Sequence, residues 1–119
     1  MVPYKLPFVV LEVLEYLDAR GCSPFGEWFS GLDASAAAKV VTAINRLAEG
    51  NLSNVKGVGT GVLESKINFG PGYRIYFGRD GDRLVVLLGG GTKKRQQTDI
   101  SNAVSRWQDY KRRKASGER

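Results

Sequence analysis

The chain has 119 residues, 42% of them hydrophobic and 25% charged, which describes one ordinary globular domain and leaves no room for two. Cys22 is the only cysteine and histidine is absent, so a disulfide framework is excluded, zinc has no usual ligand set and imidazole is missing from any acid–base chemistry. The net charge of +6 lies wholly in residues 93–119, with nine basic and three acidic groups, against nine of each in residues 1–92. Such a segment attracts polyanions, nucleic acid foremost, and fits equally a solvated helix face or a surface for an acidic protein.

In chain order, Phe8 to Leu14 is apolar and β-branched and predicts a first strand. The apolar run from Leu6 to Leu14 is too short for a membrane span and is broken by Glu12, so a cytoplasmic location is expected. Ser23-Pro24 has the form of an N-cap followed by a first-turn proline, and it opens a short helix through Phe25, Trp28 and Phe29 to Gly31. Asp33 caps a second helix, with Ala37, Val40, Val41, Ile44, Leu47 and Ala48 at three- and four-residue spacing. Trp28, Phe29 and Trp107 fit core packing better than base stacking, and Cys22 reads as a loop thiol with nothing to activate it.

Residues 51–61, with three glycines, read as a loop. Three strands follow: Leu63–Phe69, Tyr73–Phe77 and Leu84–Leu88, the last ended by Gly89-Gly90-Gly91. That glycine run lacks the spacing of a phosphate-binding loop and suits a sharp turn or a close ligand approach. A C-terminal helix carries Ile100, Ala103, Val104, Trp107 and Tyr110 on one side, starts at Thr98 or Asp99 and closes on Lys111 to Lys114. The expectation is an α+β domain spanning residues 1–119: two N-terminal helices on a mostly antiparallel four-stranded sheet, then a basic helix and tail over 106–119.

The turn Gly70-Pro71-Gly72 predicts a hairpin pairing Phe69 with Tyr73, Asn68 with Arg74, Ile67 with Ile75 and Lys66 with Tyr76. One face then collects Ile67, Phe69, Tyr73, Ile75 and Phe77. The other collects Glu64, Lys66, Asn68, Arg74 and Tyr76, expected to be open to solvent. Lys93, Lys94, Arg95, Gln96 and Gln97 follow the neighbouring strand and can reach the same sheet end. A cluster of this kind focuses potential for a phosphate backbone. A plain solvent face with cross-strand ion pairs carries the same residues.

The string Trp28, Leu32-Asp33, Ala37, Val40, Ile44-Asn45-Arg46-Leu47, Gly50-Asn51 and Val55-Lys56 resembles the first half of the RelE/ParE-superfamily toxins. The second half is more specific: Gly61-Val62, Glu64, Lys66-Ile67, Phe69-Gly70-Pro71-Gly72-Tyr73-Arg74-Ile75-Tyr76-Phe77, Leu87-Leu88, Gly90-Gly91, Lys93, Gln96 and Asp99-Ile100. Over about residues 8–105 it is similar to the HigB-like subgroup, the addiction module killer proteins. The resemblance implies a metal- and cofactor-independent endoribonuclease acting on mRNA at the ribosome. It also implies a helix-turn-helix, HigA-like antitoxin in a hetero-oligomeric complex, and no membrane partner. Arg74 falls on the strand arginine of that pattern, and Lys93 and Gln96 on its K-x-x-Q positions. Lys66 stands where arginine is usual, which keeps the charge and loses the bidentate fork.

The catalytic candidates are therefore Arg74, Lys66, Lys93, Tyr76 and Gln96. Arg74 would clamp phosphate, and Lys66 or Tyr76 would move a proton, so that Arg74→Ala is expected to lower cleavage while the fold survives. Lys56, Asn68, Lys94, Arg95, Lys111, Arg112 and Arg113 are the RNA-binding candidates, the last three for ribosomal RNA. The sequence departs from the pattern at Ser65, at Thr92 and in the helix running on through Lys111–Lys114. A gyrase-poisoning relative, or a binding module without activity, are the alternative readings.

Overall fold

The structure, a computed structural model, describes residues 11–117. Five strands and three α-helices are formed: β1 (Glu12–Glu15), α1 (Pro24–Ser30), α2 (Ala34–Ala48), β2 (Val55–Gly59), β3 (Val62–Ile67), β4 (Tyr73–Asp80), β5 (Leu84–Thr92) and α3 (Gln96–Ala115). The strands make one mixed sheet in the order β1-β5-β4-β3-β2, parallel only between β1 and β5. Residues 8–10 of the expected first strand lie outside the described residues. Among the described residues no helix is long and apolar enough to cross a membrane.

The helix starts follow local chemistry. Ser23 Oγ accepts from Gly26 N at 2.9 Å with Pro24 in the first turn, and Asp33 Oδ1 accepts from Ala36 N at 2.8 Å. Val40 and Leu47 of α2 are buried, whereas Val41 stays 45% exposed at the margin of the apolar stripe. α3 begins at Gln96, earlier than expected, directly after a 3-10 turn over Lys93–Arg95.

The sheet corrects the sequence expectation in three places. First, it has five strands rather than four, because β2 forms inside the expected loop. Val55 and Val58 pack against the two cores, and Thr60 (φ 56°) with Gly61 (φ 84°) makes a two-residue turn into β3. Positive φ at both positions matches the twist of a tight hairpin. Second, the β3–β4 register differs by two residues: Ile67 opposes Tyr73, Lys66 opposes Arg74, Ser65 opposes Ile75 and Glu64 opposes Tyr76. An even shift keeps every side chain on its face and changes only its partner. Third, β5 runs through Gly89–Gly91 to Thr92, and none of these glycines has positive φ.

The glycine run instead admits large side chains. A methyl group on Gly90 would collide with the Trp28 ring, and one on Gly91 with the Asp99 carboxyl. A bulge in β5 at Leu88, opposite Tyr76 and Phe77, resets the strand's alternation, and Arg106 Nη1 donates to the Leu88 carbonyl at 3.0 Å.

Two cores result. Phe25, Val40, Leu47, Ile67, Ile75, Phe77, Val85 and Leu87 fill the space between α1, α2 and the sheet. Tyr16, Val62, Tyr76, Val86, Leu88, Ala103 and Trp107 fill the space on the opposite face, beneath α3. That face was expected to be open, and α3 covers it. Trp107 lies flat over Gly78, where a methyl group would sit 2.5 Å from the ring.

Candidate functional site

The covered face holds an unusual polar row. Pairing sets Lys56 beside Glu64, and Glu64 beside Tyr76, across β2, β3 and β4. One step along the strands, Lys66 lies beside Arg74, and Arg74 beside Gly91. The first turn of α3 closes over both rows, with Gln96 Nε2 donating to Glu64 Oε2 at 2.8 Å.

Glu64 is 1% exposed, Arg74 4% and Tyr76 not at all. The expectation that Arg74 and Tyr76 stand on an open surface is therefore corrected. Arg74 Nη1 donates to the Gly72 carbonyl at 2.7 Å, and its Nε lies 3.7 Å from Glu64 Oε1. Lys56 Nζ approaches the same oxygen at 3.8 Å from the solvent side. Glu64 Oε1, Arg74 Nε and Tyr76 Oη are buried together and lack a well-formed hydrogen bond. Burial, and then the Glu64 charge beside it, push the Tyr76 phenol far above its ordinary value. Tyr76 is thus packed in the core beneath α3, away from the accessible cations.

The cations that remain accessible rim this buried row. Lys66, Lys93, Lys94 and Arg95 are exposed, and Lys56 is exposed above its ion pair. Lys93 stands next to Arg74: a methyl group on Gly72 would meet Arg74 Nη1 at 3.2 Å and Lys93 Cβ at 3.6 Å. Arg74 and Lys93 thus lie together as expected, one beneath the surface and one on it. Asp99 sits over Gly91, where burial raises its carboxyl above the ordinary value against the pull of Arg95 and Arg106. Asn68 is exposed in the β3–β4 connection.

The basic end of α3 is not part of this cluster. Lys111 lies ~22 Å along the helix from its start. Its cations are engaged internally: Arg112 and Arg113 bind Asp109, Arg113 also donates to the Leu17 carbonyl, Lys114 pairs with Asp80, and Lys111 lies over the Trp107 ring. Arg113 is held further against the Tyr16 ring, 5.2 Å from its centroid.

The sequence offers Glu64 as a member of a polar face that could pair across strands with Lys66 or Arg74, and the structure brings it to Arg74. The opposition of Glu64 to Tyr76 and its hydrogen bond to Gln96 depend on the register and on the position of α3, neither of which the local sequence contains.

An α+β domain with a braced carboxylate–guanidinium pair under a rim of lysines is the frame on which the comparisons fall. Residues 27–107 match the family described as Phage derived protein Gp49-like (DUF891), so the chain belongs to that family, which is related to the toxins of toxin–antitoxin systems. It is also similar to an uncharacterized protein of Haemophilus influenzae, 41% identical over 80 residues that make up 66% of this chain and 81% of the relative. Both the matched segment of β3–β4 and the start of α3, which form the site, lie within the family match.

Proposed function

We propose that the protein is the toxin of a type II toxin–antitoxin pair, of the HigB-like kind, and cuts mRNA on the translating ribosome in the cytoplasm. A helix-turn-helix antitoxin of the HigA-like kind would neutralise it in a hetero-oligomeric complex. The observation that carries this reading is the meeting of Lys66, Lys93 and the underlying Arg74 at one end of the sheet.

In the reaction, the ribose 2′-oxygen attacks the adjacent phosphorus, the bond from phosphorus to the 5′-oxygen breaks, and a cyclic phosphate remains. The 2′-hydroxyl proton leaves to an acceptor and the 5′-oxygen takes one up. Negative charge grows on the phosphoryl oxygens in between, and preorganised cations stabilise it. Lys66 and Lys93 are exposed and would touch the phosphate directly. Arg74 is a positioning residue in this scheme: its fixed charge, with Gln96 and Glu64, holds the sheet end and the start of α3 in place. Lys66 is the candidate for proton transfer, and Lys94 and Arg95 extend the rim along the RNA.

No histidine is available to move protons, so the reaction relies on orientation. A ribosome that presents the mRNA already aligned would supply it. The test is cleavage of a translated reporter mRNA by Lys66→Ala and Lys93→Ala. Each variant is expected to fold normally and to cut about tenfold to a hundredfold more slowly. Unchanged rates in both would remove this site from the reaction.

A further inference from the structure

A second cationic site lies on the other side of β3. The last turns of α2, the segment Asn51–Val55 and the end of β3 enclose a cleft of about 300 Å³. Lys39, Arg46 and Lys66 line it together with Asn51, Asn54 and Asn68, and all six are exposed. No carboxylate lines this cleft, and none pairs with these three cations among the described residues.

The contrast is with the cations that the fold pairs. Arg112, Arg113, Lys114 and Lys56 all have acidic partners within the chain. The cleft concentrates positive charge that the fold leaves uncompensated. Lys39 and Arg46 lie seven residues apart on one helix, two turns or ~10.5 Å, and Lys66, whose strand alternation sets it with Glu64 and Arg74 on the α3 face, borders the cleft at the edge of β3. Lys39 Nζ also sits 5.4 Å from the centre of the Phe69 ring, which restricts where its charge can go. Three amides between the cations supply donors and acceptors of the kind that ribose and base edges require.

We propose that this cleft binds the sugar–phosphate backbone of single-stranded RNA outside the cleaved linkage. Lys66 belongs to both sites, so a strand crossing the β3 end runs from the Lys66–Lys93 rim into the cleft. The inference rests on the nuclease reading for the identity of the polyanion, and it assigns binding roles to Lys39, Arg46, Asn51 and Asn54.

The experiment is equilibrium binding of a fluorescent 12-nucleotide RNA carrying 2′-O-methyl groups, which has no 2′-hydroxyl to attack its own linkage. Binding is thereby read separately from cleavage. The full chain is compared with Lys39→Gln/Arg46→Gln, Lys39→Glu/Arg46→Glu and Arg83→Glu, the last an exposed arginine elsewhere on the surface. The double Gln variant is expected to weaken binding about tenfold, and to flatten the salt dependence by about 1.4 in logarithmic slope, for two lost single-strand phosphate contacts. The double Glu variant is expected to weaken it further, and Arg83→Glu to leave it within twofold. Unfolding midpoints of the variants matching the parent chain would place these losses in the cleft.

Unchanged affinity in both double variants, or an equal loss in Arg83→Glu, would overturn the proposal. So would polyglutamate displacing the RNA as well as unlabelled RNA does, since the cleft would then be selecting an acidic protein segment. A chain that binds in this way and cuts no mRNA would keep the cleft and discard the nuclease reading.

Discussion

Arg74 and Glu64 are best understood as one unit. Each is buried, and among the described residues each is the other's only ion-pair partner apart from the exposed Lys56. Removing one member leaves a charge in a medium that solvates it poorly, at a cost of about 3–5 kcal/mol, whereas removing both leaves no stranded ion. Arg74→Gln and Glu64→Gln should therefore each unfold at much lower urea concentration than the parent chain, and Glu64→Gln/Arg74→Gln should regain most of that loss. Equilibrium unfolding of both single variants and the double variant gives the coupling; additive losses would contradict the account. This reverses the expectation from sequence that Arg74→Ala spares the fold. The string Gly-Pro-Gly-Tyr-Arg reveals that an arginine follows the turn, but its depth depends on α3, some twenty residues further on.

α3 is the element that turns a half-open sheet into a three-layer domain, and its C-terminal half is fastened by Asp109. The Tyr16 hydroxyl donates to Asp109 Oδ2 at 2.6 Å and Arg113 Nε at 3.0 Å, while Tyr110 and Lys114 reach Asp80. The Tyr16 hydrogen bond, with Arg113 behind it, holds the Asp109 carboxyl below its ordinary value of 3.8. A depressed folded value means stability present above about pH 3.8 and lost as pH falls through the folded value. Asp109→Asn should lower stability by about 1 kcal/mol at pH 7, since the site is partly solvated, and the difference should close in acid. Thermal unfolding from pH 7 to pH 3 measures it, and a difference that stays constant would show that the charge is irrelevant. The helices were legible in the sequence through their caps and apolar spacing at Ser23, Asp33 and Trp107. β2 was not, because Gly57, Gly59 and Gly61 are the residues of a loop and only Val55 and Val58 betray a strand. The glycines of β5 misled in the opposite sense: they mark close contact with Trp28 and Asp99 rather than the end of a strand.

At the scale of the whole molecule, charge is divided by use. Arg113 and Lys114 hold the end of α3 to the Leu17 carbonyl and to Asp80 of β4 and Arg112 pairs with Asp109 inside the helix, while unpaired cations line the cleft beside β3 and the start of α3. The cations at the C-terminal end, read from sequence as a ribosome-docking patch, thus have partners within the chain, and the sites proposed for RNA lie at the other end of α3. Fold class and the cluster at the sheet end were legible in the alternation of β3 and β4, which fixes faces. Partners across strands and burial under a distant helix are long-range properties that alternation does not encode. The most direct test of the account is to add the purified protein to one reporter transcript in two settings, naked in buffer and under active translation, and to map the ends produced. The account predicts cuts within the open reading frame during translation, each leaving a 2′,3′-cyclic phosphate, and little cutting of the naked transcript. An intact transcript in both settings would contradict it.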